Sequence, residues 1–200
     1  MNLEQYWDRI YRTKHAQDVS WFRPHLHTSL ELISQTGVSR DAPILDVGGG
    51  ASTLVDDLLA AGYSDLTVVD LSEAGLETAR ARLGPRASEV KWVAADVTRV
   101  NLAPSHFQVW HDRAVFHFLM EAEDRRRYVE QVRRAVAPGG HVIVATFGPE
   151  GPLRCSGLPT ARYDADALHA VFGSDFALVD RREERHRTPA GADQQFVYCL

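Results

Sequence analysis

Short apolar segments alternate with helical patterns through most of this 200-residue chain, and this alternation constrains its fold more than any other feature. The segments predict five strands, within residues 42–50, 66–72, 90–98, 107–112 and 141–147. Most of the intervening segments place apolar residues at helical spacing. Strands that alternate with helices at such intervals form a parallel sheet covered on both faces, so we predict an α/β fold.

The two ends of the chain depart from this alternation. A helix pattern at 165–173 precedes two strand-like runs that flank the turn residues Pro189 to Gly191, which predicts a C-terminal antiparallel hairpin. Residues 1–40 contain a helix from about His27 to Gln35 and no predicted strand. We therefore expect a single domain over 1–200, in which a cap segment (1–40) lies over a sheet-forming core (41–200).

Composition excludes several classes of function. The net charge of −5 gives no overall attraction to nucleic acid or to an anionic membrane, and we expect neither as a partner. No apolar stretch approaches the roughly 20 residues that span a bilayer. Two cysteines make no disulfide framework, which favours a reducing, cytoplasmic location. Histidines and cysteines show no metal-ligand spacing, so no metal site is predicted.

The first predicted strand ends in a glycine loop, Asp46-Val-Gly-Gly-Gly-Ala-Ser. A dinucleotide fingerprint counted from Gly48 would require glycine at Thr53, and Asp46 would repel a pyrophosphate. An acid in this place suits a ligand that carries a cation. Asp70 and Asp96 end the next two strands, where one carboxylate can bind ribose hydroxyls and the other can reach an adenine amino group.

These motifs, with Pro138-Gly139-Gly140 before the fifth strand, resemble those of the class I S-adenosylmethionine-dependent methyltransferases. The resemblance implies a Rossmann-like seven-stranded sheet with helices on both faces, S-adenosylmethionine as cofactor and S-adenosylhomocysteine as product. Ser52 stands where the family has a third glycine. The cofactor-binding residues implied are Asp46, Gly48, Gly49, Gly50, Ser52, Asp70, Leu71, Asp96 and Val97. We further predict that Trp21 closes over the cofactor as a lid and that His111 contacts it from the strand end.

In this family the end of the fourth strand faces the reacting methyl group, which places the segment VWHDRAVFHFL at the reaction site. We predict catalytic roles for Arg113, which would favour an anionic acceptor, and His117, as a general base. Asp112, Cys155 and Tyr163 are predicted to contact the acceptor. The alternatives are that Asp112 neutralises Arg113, that His117 is a packed core histidine, and that Cys155 only fills space.

Two closer resemblances disagree about the acceptor. Residues from Trp110 onward are similar to thiopurine and thiol methyltransferases, through the Asp-Arg pair and the later Asp-Arg…Tyr and Gly-Pro motifs. The opening YWDRIY…VSWF resembles small lysine methyltransferases that modify proteins. Because Arg113 suits a thiolate better than an ammonium group, a small thiol or sulfide is our first choice. A protein lysine and a non-catalytic cofactor-binding role are the alternatives.

Overall fold

The computed structural model describes residues 2–200, in which six helices and nine strands alternate along most of the chain. The helices are α1 (Leu3–Thr13), α2 (His27–Gln35), α3 (Leu54–Ala60), α4 (Glu73–Leu83), α5 (Ala122–Ala135) and α6 (Ala165–Phe172). The strands are β1 (Ile44–Val47), β2 (Leu66–Asp70), β3 (Val90–Ala94), β4 (Phe107–Arg113), β5 (Val136–Phe147), β6 (Arg154–Cys155), β7 (Leu158–Pro159), β8 (Arg181–Arg187) and β9 (Asp193–Cys199).

Seven strands form one sheet in the order β3-β2-β1-β4-β5-β9-β8. The first five pair in parallel, and β9 pairs antiparallel with both β5 and β8. The predicted Rossmann-like α/β sheet with a C-terminal hairpin is therefore confirmed. The strand order reverses direction between β1 and β4, and ligands of open α/β sheets bind beside such a switch point.

Successive side chains of the strands pack alternately into two hydrophobic clusters, one on each face of the sheet. On β4, Val109 packs in the cluster that contains α2 and α3 residues, whereas Trp110 packs in the cluster with α5 and α6. The alternation continues to the strand end, since successive strand residues point to opposite faces. Asp112 and Arg113 consequently lie on different faces of the sheet.

Helix α2 has the predicted bounds, but other elements differ from the sequence-based expectation. Helix α1 was not predicted, although Leu3, Tyr6, Trp7, Ile10 and Tyr11 recur at helical spacing along it. Strand β5 begins at Val136, ahead of the Pro-Gly-Gly turn, and the β4–β5 register shifts between Phe107 and Val109. Within residues 2–200, no helix combines the length and apolar character that a bilayer crossing requires.

Candidate functional site

A cavity of about 330 Å³ opens beside the ends of the parallel strands and is lined by residues from many parts of the chain. Its walls include Gly48 after β1, Asp70 and Leu71 after β2, and Asp96 and Val97 after β3. The opposite wall is aromatic and apolar, and it includes Trp7, Tyr11, Trp21, Val115, Phe118 and Cys155. The strand-end acids predicted from sequence therefore share one cavity.

A larger cavity of about 600 Å³ lies between α5, α6 and the start of β5. Its polar groups are engaged within the protein: His169 Nε2 lies 2.7 Å from the Phe176 carbonyl oxygen, and Arg133 donates to the Phe172 carbonyl oxygen. The smaller cavity is the better candidate site, because the glycine loop and the strand-end acids converge there.

The glycine loop forms a narrow cradle between these acids. Gly48 has a φ of +69°, a conformation that favours glycine. A Cβ on Gly49 would lie 2.6 Å from Asp46 Oδ2, and one on Gly50 would lie 2.7 Å from Asp70 Oδ2. Any larger residue would therefore displace a carboxylate. The loop's close approach to both carboxylates is the property that a bound cofactor would require.

Asp70 is buried at the end of β2 and accepts a hydrogen bond from the Ser72 amide at 2.8 Å. Burial raises the pKa of this carboxyl from 3.8 to about 7, and the charges of Asp46 and Asp8 add to the rise, while backbone amides of Ser72 and Gly50 oppose it. Ionisation of this carboxyl group is therefore costly in the folded protein. Hydroxyl donors from a ribose would relieve that cost.

Asp96 and Ser52 are partly committed to local turns. Asp96 Oδ1 accepts from the Thr98 amide and hydroxyl, which leaves Oδ2 about 4.0 Å from Arg99 Nε. The Ser52 hydroxyl accepts from the Leu54 amide at 3.2 Å and so helps to begin α3. Ser52 lines a second, small pocket beside the glycine loop, together with Asp46, Gly48, Trp21 and His111.

Asp46 and His111 are register partners on adjacent strands, and both side chains are buried. Asp46 Oδ1 lies 2.8 Å from His111 Nδ1, and His111 Nε2 lies 2.9 Å from the Ser29 hydroxyl of α2. Asp46 Oδ2 is buried without a hydrogen-bond partner among the described residues. His111 therefore orients Asp46 so that one oxygen remains free for a cationic group.

Arg113 lies beside the cavity, but its guanidinium is held by neighbouring groups. Its Nε donates to the Tyr198 hydroxyl at 3.0 Å, its Nη1 donates to the Trp21 carbonyl at 3.2 Å, and Glu184 Oε1 lies 3.5 Å from Nη2. Its Cζ stands 4.4 Å from the centre of the Phe196 ring. Arg113 is fixed in place, and its charge is shared with the C-terminal hairpin.

The structure contradicts the predicted contact between Asp112 and the acceptor. Asp112 is fully buried on the other face of the sheet, where it accepts from the Val115 and Phe116 amides and from the Tyr128 hydroxyl. The alternative of an Asp112–Arg113 pair is also wrong, because adjacent strand residues face opposite ways. Burial raises the Asp112 pKa to about 6 despite these hydrogen bonds.

His117 is fully buried in a 3₁₀ turn spanning Phe116–Phe118, and not on a helix that contains Arg113. Its Nδ1 accepts from the Phe147 amide at 3.3 Å, and its ring packs against Phe118 and Phe147. Burial, together with the charge of Arg113, lowers its pKa to about 3. A neutral histidine with so low a pKa is a weak base, so this geometry favours the packed-histidine alternative over the predicted general base.

Cys155 and Tyr163 separate in the fold. Cys155 lines the cavity, with its Sγ 3.8 Å from the Ser20 hydroxyl oxygen. Burial raises the pKa of this thiol, while hydrogen bonds to Ser20 and Ser156 and the positive charge of Arg113 oppose the rise. Tyr163 instead packs against Phe116 in the cluster on the other face of the sheet. The predicted acceptor contact of Tyr163 is therefore not supported by its position.

Helix α1 supplies site residues that the sequence analysis missed. Tyr11 is four residues after Trp7, a spacing that would have placed both on one helix face had the helix been predicted. The Tyr11 hydroxyl oxygen would lie 2.9 Å from a Cβ on Gly50, and burial followed by the Asp70 charge raises the Tyr11 pKa. Asp8 accepts from the Ser72 hydroxyl and the Ala74 amide, which fastens α1 to the start of α4.

Comparisons with known proteins bear on the fold. A family model described as a methyltransferase domain matches residues 44–140. The crystal structure of the N-methyltransferase NodS from Bradyrhizobium japonicum WM9 in complex with S-adenosylhomocysteine superposes with a TM-score of 0.74 at 19% identity, covering 100% of this chain and 98% of that chain. Within the described residues, no cluster of three or more histidine, cysteine or acidic side chains could hold a metal ion.

The curated relatives match this chain over only part of their own length. An eEF1A lysine and N-terminal methyltransferase of Danio rerio is 26% identical over 183 residues, which cover 86% of this chain and 26% of that protein. A ubiquinone biosynthesis O-methyltransferase of Alkalilimnicola ehrlichii is 29% identical over 175 residues, covering 87% and 62%. The chain thus spans about a quarter of the length of the first relative. The likeness to thiopurine and thiol methyltransferases stays a prediction.

Proposed function

Because this chain belongs to the class I S-adenosylmethionine-dependent methyltransferases, we propose that it transfers a methyl group to a small-molecule nucleophile, first of all a thiol or sulfide. The observation that carries this proposal is the cavity of about 330 Å³, where the strand-end acids adjoin an aromatic and apolar wall. This volume lies at the lower end of the range for pockets that bind one small-molecule ligand.

The cavity residues fit the cofactor of this family. Asp46 lines the adjoining small pocket, where its free Oδ2 would accept from the ammonium group of the methionine part. In the cavity itself, Asp70 would accept from ribose hydroxyls. Asp96 and Val97 would adjoin the adenine, and Trp21 would cover the site as a lid. When bound, this cofactor supplies a methyl group on a sulfonium, which a nucleophile attacks in line. The aromatic wall would exclude water from that reaction.

The bases available in the cavity favour an acceptor that ionises by itself. His117 is a weak base, and the carboxylates that line the cavity are too weakly basic to deprotonate an amine. A thiol, with a pKa of about 8.5, exists partly as thiolate near neutral pH, whereas a lysine amine, near 10.4, does not lose its proton so readily. Arg113 would stabilise the thiolate. A thiol acceptor therefore needs no base that the cavity lacks.

A protein lysine is the second candidate acceptor. The eEF1A lysine and N-terminal methyltransferase of Danio rerio supports it by name. Trp7, Tyr11, Trp21 and Phe118 also supply aromatic faces that attract cations. Against it stand the small cavity and the positive charge of Arg113. A third candidate, a cofactor-binding protein without catalysis, would use the same acids and would turn over no acceptor.

The test is release of S-adenosylhomocysteine by the full chain, offered sulfide, simple thiols or the protein fraction of a methyl-depleted lysate. We expect turnover with thiols or sulfide. Turnover confined to the protein fraction would replace this proposal with the lysine candidate. Tight binding of S-adenosylhomocysteine without turnover on any acceptor would favour the non-catalytic one.

A variant pair tests the role of Arg113. Arg113→Gln should lower turnover on thiols more than it lowers the affinity for S-adenosylhomocysteine, because the charge acts on the acceptor. Arg185→Gln is the matched control, since Arg185 is an exposed arginine of β8 that contacts Glu150. Equal losses of turnover and affinity in Arg113→Gln would mean that Arg113 has a structural role.

We assign the reaction to the cytoplasm, because Cys155 and Cys199 are free and buried.

A further inference from the structure

Glu184 of β8 is the acidic partner of Arg113, and it serves more than one cation. Its Oε1 accepts from Arg23 Nη2 at 2.9 Å and lies 3.5 Å from Arg113 Nη2. Its Oε2 accepts from the Thr28 hydroxyl at 2.7 Å and from the Tyr198 hydroxyl at 3.3 Å. Burial raises the pKa of Glu184, but Thr28 and the two arginines outweigh it, so the pKa lies below its ordinary value. Glu184 is thus ionised beside the cavity.

The charges of this cluster do not cancel. Arg113 and Arg23 share the single carboxylate of Glu184, and Arg113 Nη2 has no hydrogen-bond partner among the described residues. The side chain of Arg113 is 5% exposed, against 31% for Arg23, so water screens Arg113 far less. Arg23, Arg113 and Glu184 together carry one positive charge, and its less screened part lies on Arg113, which lines the cavity. Asp46 lines the small pocket beside both arginines, where one of its oxygens is paired with His111.

Further titratable groups surround Arg113 on several elements. They are Tyr198 and His186 of the hairpin, His117 of the 3₁₀ turn and Cys155 of β6, and the pKa of each responds to the Arg113 charge. The pKa of Tyr198 is raised, and the pKa values of His117 and His186 are lowered, by burial in the first place. These three groups are therefore neutral near pH 7. Glu184 is the one anion in contact with Arg113 among the described residues.

We propose that Glu184 is a specificity-determining residue, which limits the charge that Arg113 presents and so selects acceptors whose sulfur is their only anionic group. The residual positive charge would balance one thiolate and would not balance a thiolate together with a carboxylate. This inference rests on the proposed function for the identity of the acceptor. Its electrostatic part does not, because Cys155 lines the same cavity and reports the local charge directly.

The first measurement is therefore the pKa of Cys155 in the full chain. It is read from the ultraviolet absorbance of the thiolate against pH, as the difference between each protein and its Cys155→Ser counterpart. Glu184→Gln removes the negative charge that partly neutralises Arg113, and Arg113 lowers the pKa of Cys155, so the substitution should lower that pKa. Arg23→Gln removes the second cation that Glu184 neutralises. Glu184 should then offset more of the Arg113 charge, so the Cys155 pKa should rise. The matched control is Glu183→Gln, because Glu183 is an exposed residue next in sequence on the other face of β8.

Two further comparisons separate charge from structure. Glu184→Asp keeps the charge and should restore the wild-type Cys155 pKa. In turnover, Glu184→Gln should shift the ratio of activity with 3-mercaptopropionate to activity with 2-mercaptoethanol upward about tenfold, since only the first carries a carboxylate. Thermal unfolding and S-adenosylhomocysteine affinity identify any variant that has not folded. If Glu184→Gln does not fold, the direction in which Arg23→Gln shifts the Cys155 pKa tests the charge assignment independently.

The outcomes are distinct. A Cys155 pKa that is the same in wild type, Glu184→Gln and Arg23→Gln would overturn the inference, whatever the turnover. A shifted pKa with an unchanged acceptor ratio would overturn the specificity role. A shifted pKa in a protein that methylates no thiol would refute the proposed function, would remove the specificity role with it, and would leave the charge assignment standing.

Discussion

The Asp70 carboxylate should make the free protein less stable than an uncharged group in its place would. Burial holds its pKa at about 7, against 3.8 ordinarily, so the unfolded chain ionises this group at a pH where the folded protein keeps it protonated. Folded stability therefore falls as pH rises from about 4 to 7 and then stays low. Asp70→Asn removes the ionisation and should relieve that loss.

The size of the effect follows from the shift. A rise from 3.8 to about 7 corresponds to about 4 kcal/mol of unfolding free energy above pH 7. At about pH 5.5 only part of this cost has developed. The advantage of Asp70→Asn over the wild type should therefore grow by about 2 kcal/mol between about pH 5.5 and pH 8.

Urea unfolding of the protein without cofactor at these two pH values measures this growth. Asp65→Asn is the matched control, because Asp65 lies just before the same strand but pairs with Lys91 near the surface, where such pairs contribute little. Asp65→Asn should show no comparable growth. An advantage of Asp70→Asn that is equal at both pH values would refute the account of a buried, costly carboxylate at this position.

Three other predictions follow from the site. The affinity of the wild type for S-adenosylhomocysteine, measured by calorimetry, should rise about tenfold from pH 6 to pH 8, because only ionised Asp70 binds the ribose well. A similar rise of the affinity in Asp70→Asn would contradict this reason. Asp112→Ala should lower the unfolding free energy in urea by about 3 kcal/mol, since it leaves two amides and the Tyr128 hydroxyl unpaired, without weakening the binding of S-adenosylhomocysteine. Trp21→Ala should weaken that binding and slow turnover, and if both were unchanged the lid role would be wrong.

The sequence predicted the parallel sheet, the hairpin and the cavity acids because each depends on a local pattern. The strands are apolar and short, and Asp46, Asp70 and Asp96 each lie within two residues of a strand's carboxyl end. Parallel strands bring such ends to one edge of the sheet whatever the details of packing. These parts of the site needed no knowledge of side-chain contacts.

The role of the fourth strand could not be obtained in the same way. HDR is three adjacent letters, but a strand sends Asp112 to one face and His111 and Arg113 to the other. The partners of these side chains are distant in sequence, since Asp46 lies 65 residues from His111 and Tyr198 lies 85 residues from Arg113. Helix α1 was missed although its apolar residues recur at helical spacing, and the neighbours of Asp8 and Tyr11 at the site are likewise distant in sequence.

The fate of a labelled methyl group distinguishes methyl transfer to the sulfur of a small thiol from transfer to a protein. The full chain is incubated with S-adenosylmethionine that carries a deuterated methyl group and with a simple thiol, and the products are identified by mass spectrometry. We expect the deuterated methyl group on the thiol sulfur, in an amount that falls in Arg113→Gln and not in Arg185→Gln. Label found only on lysine side chains of added protein, or on no acceptor at all, would contradict it.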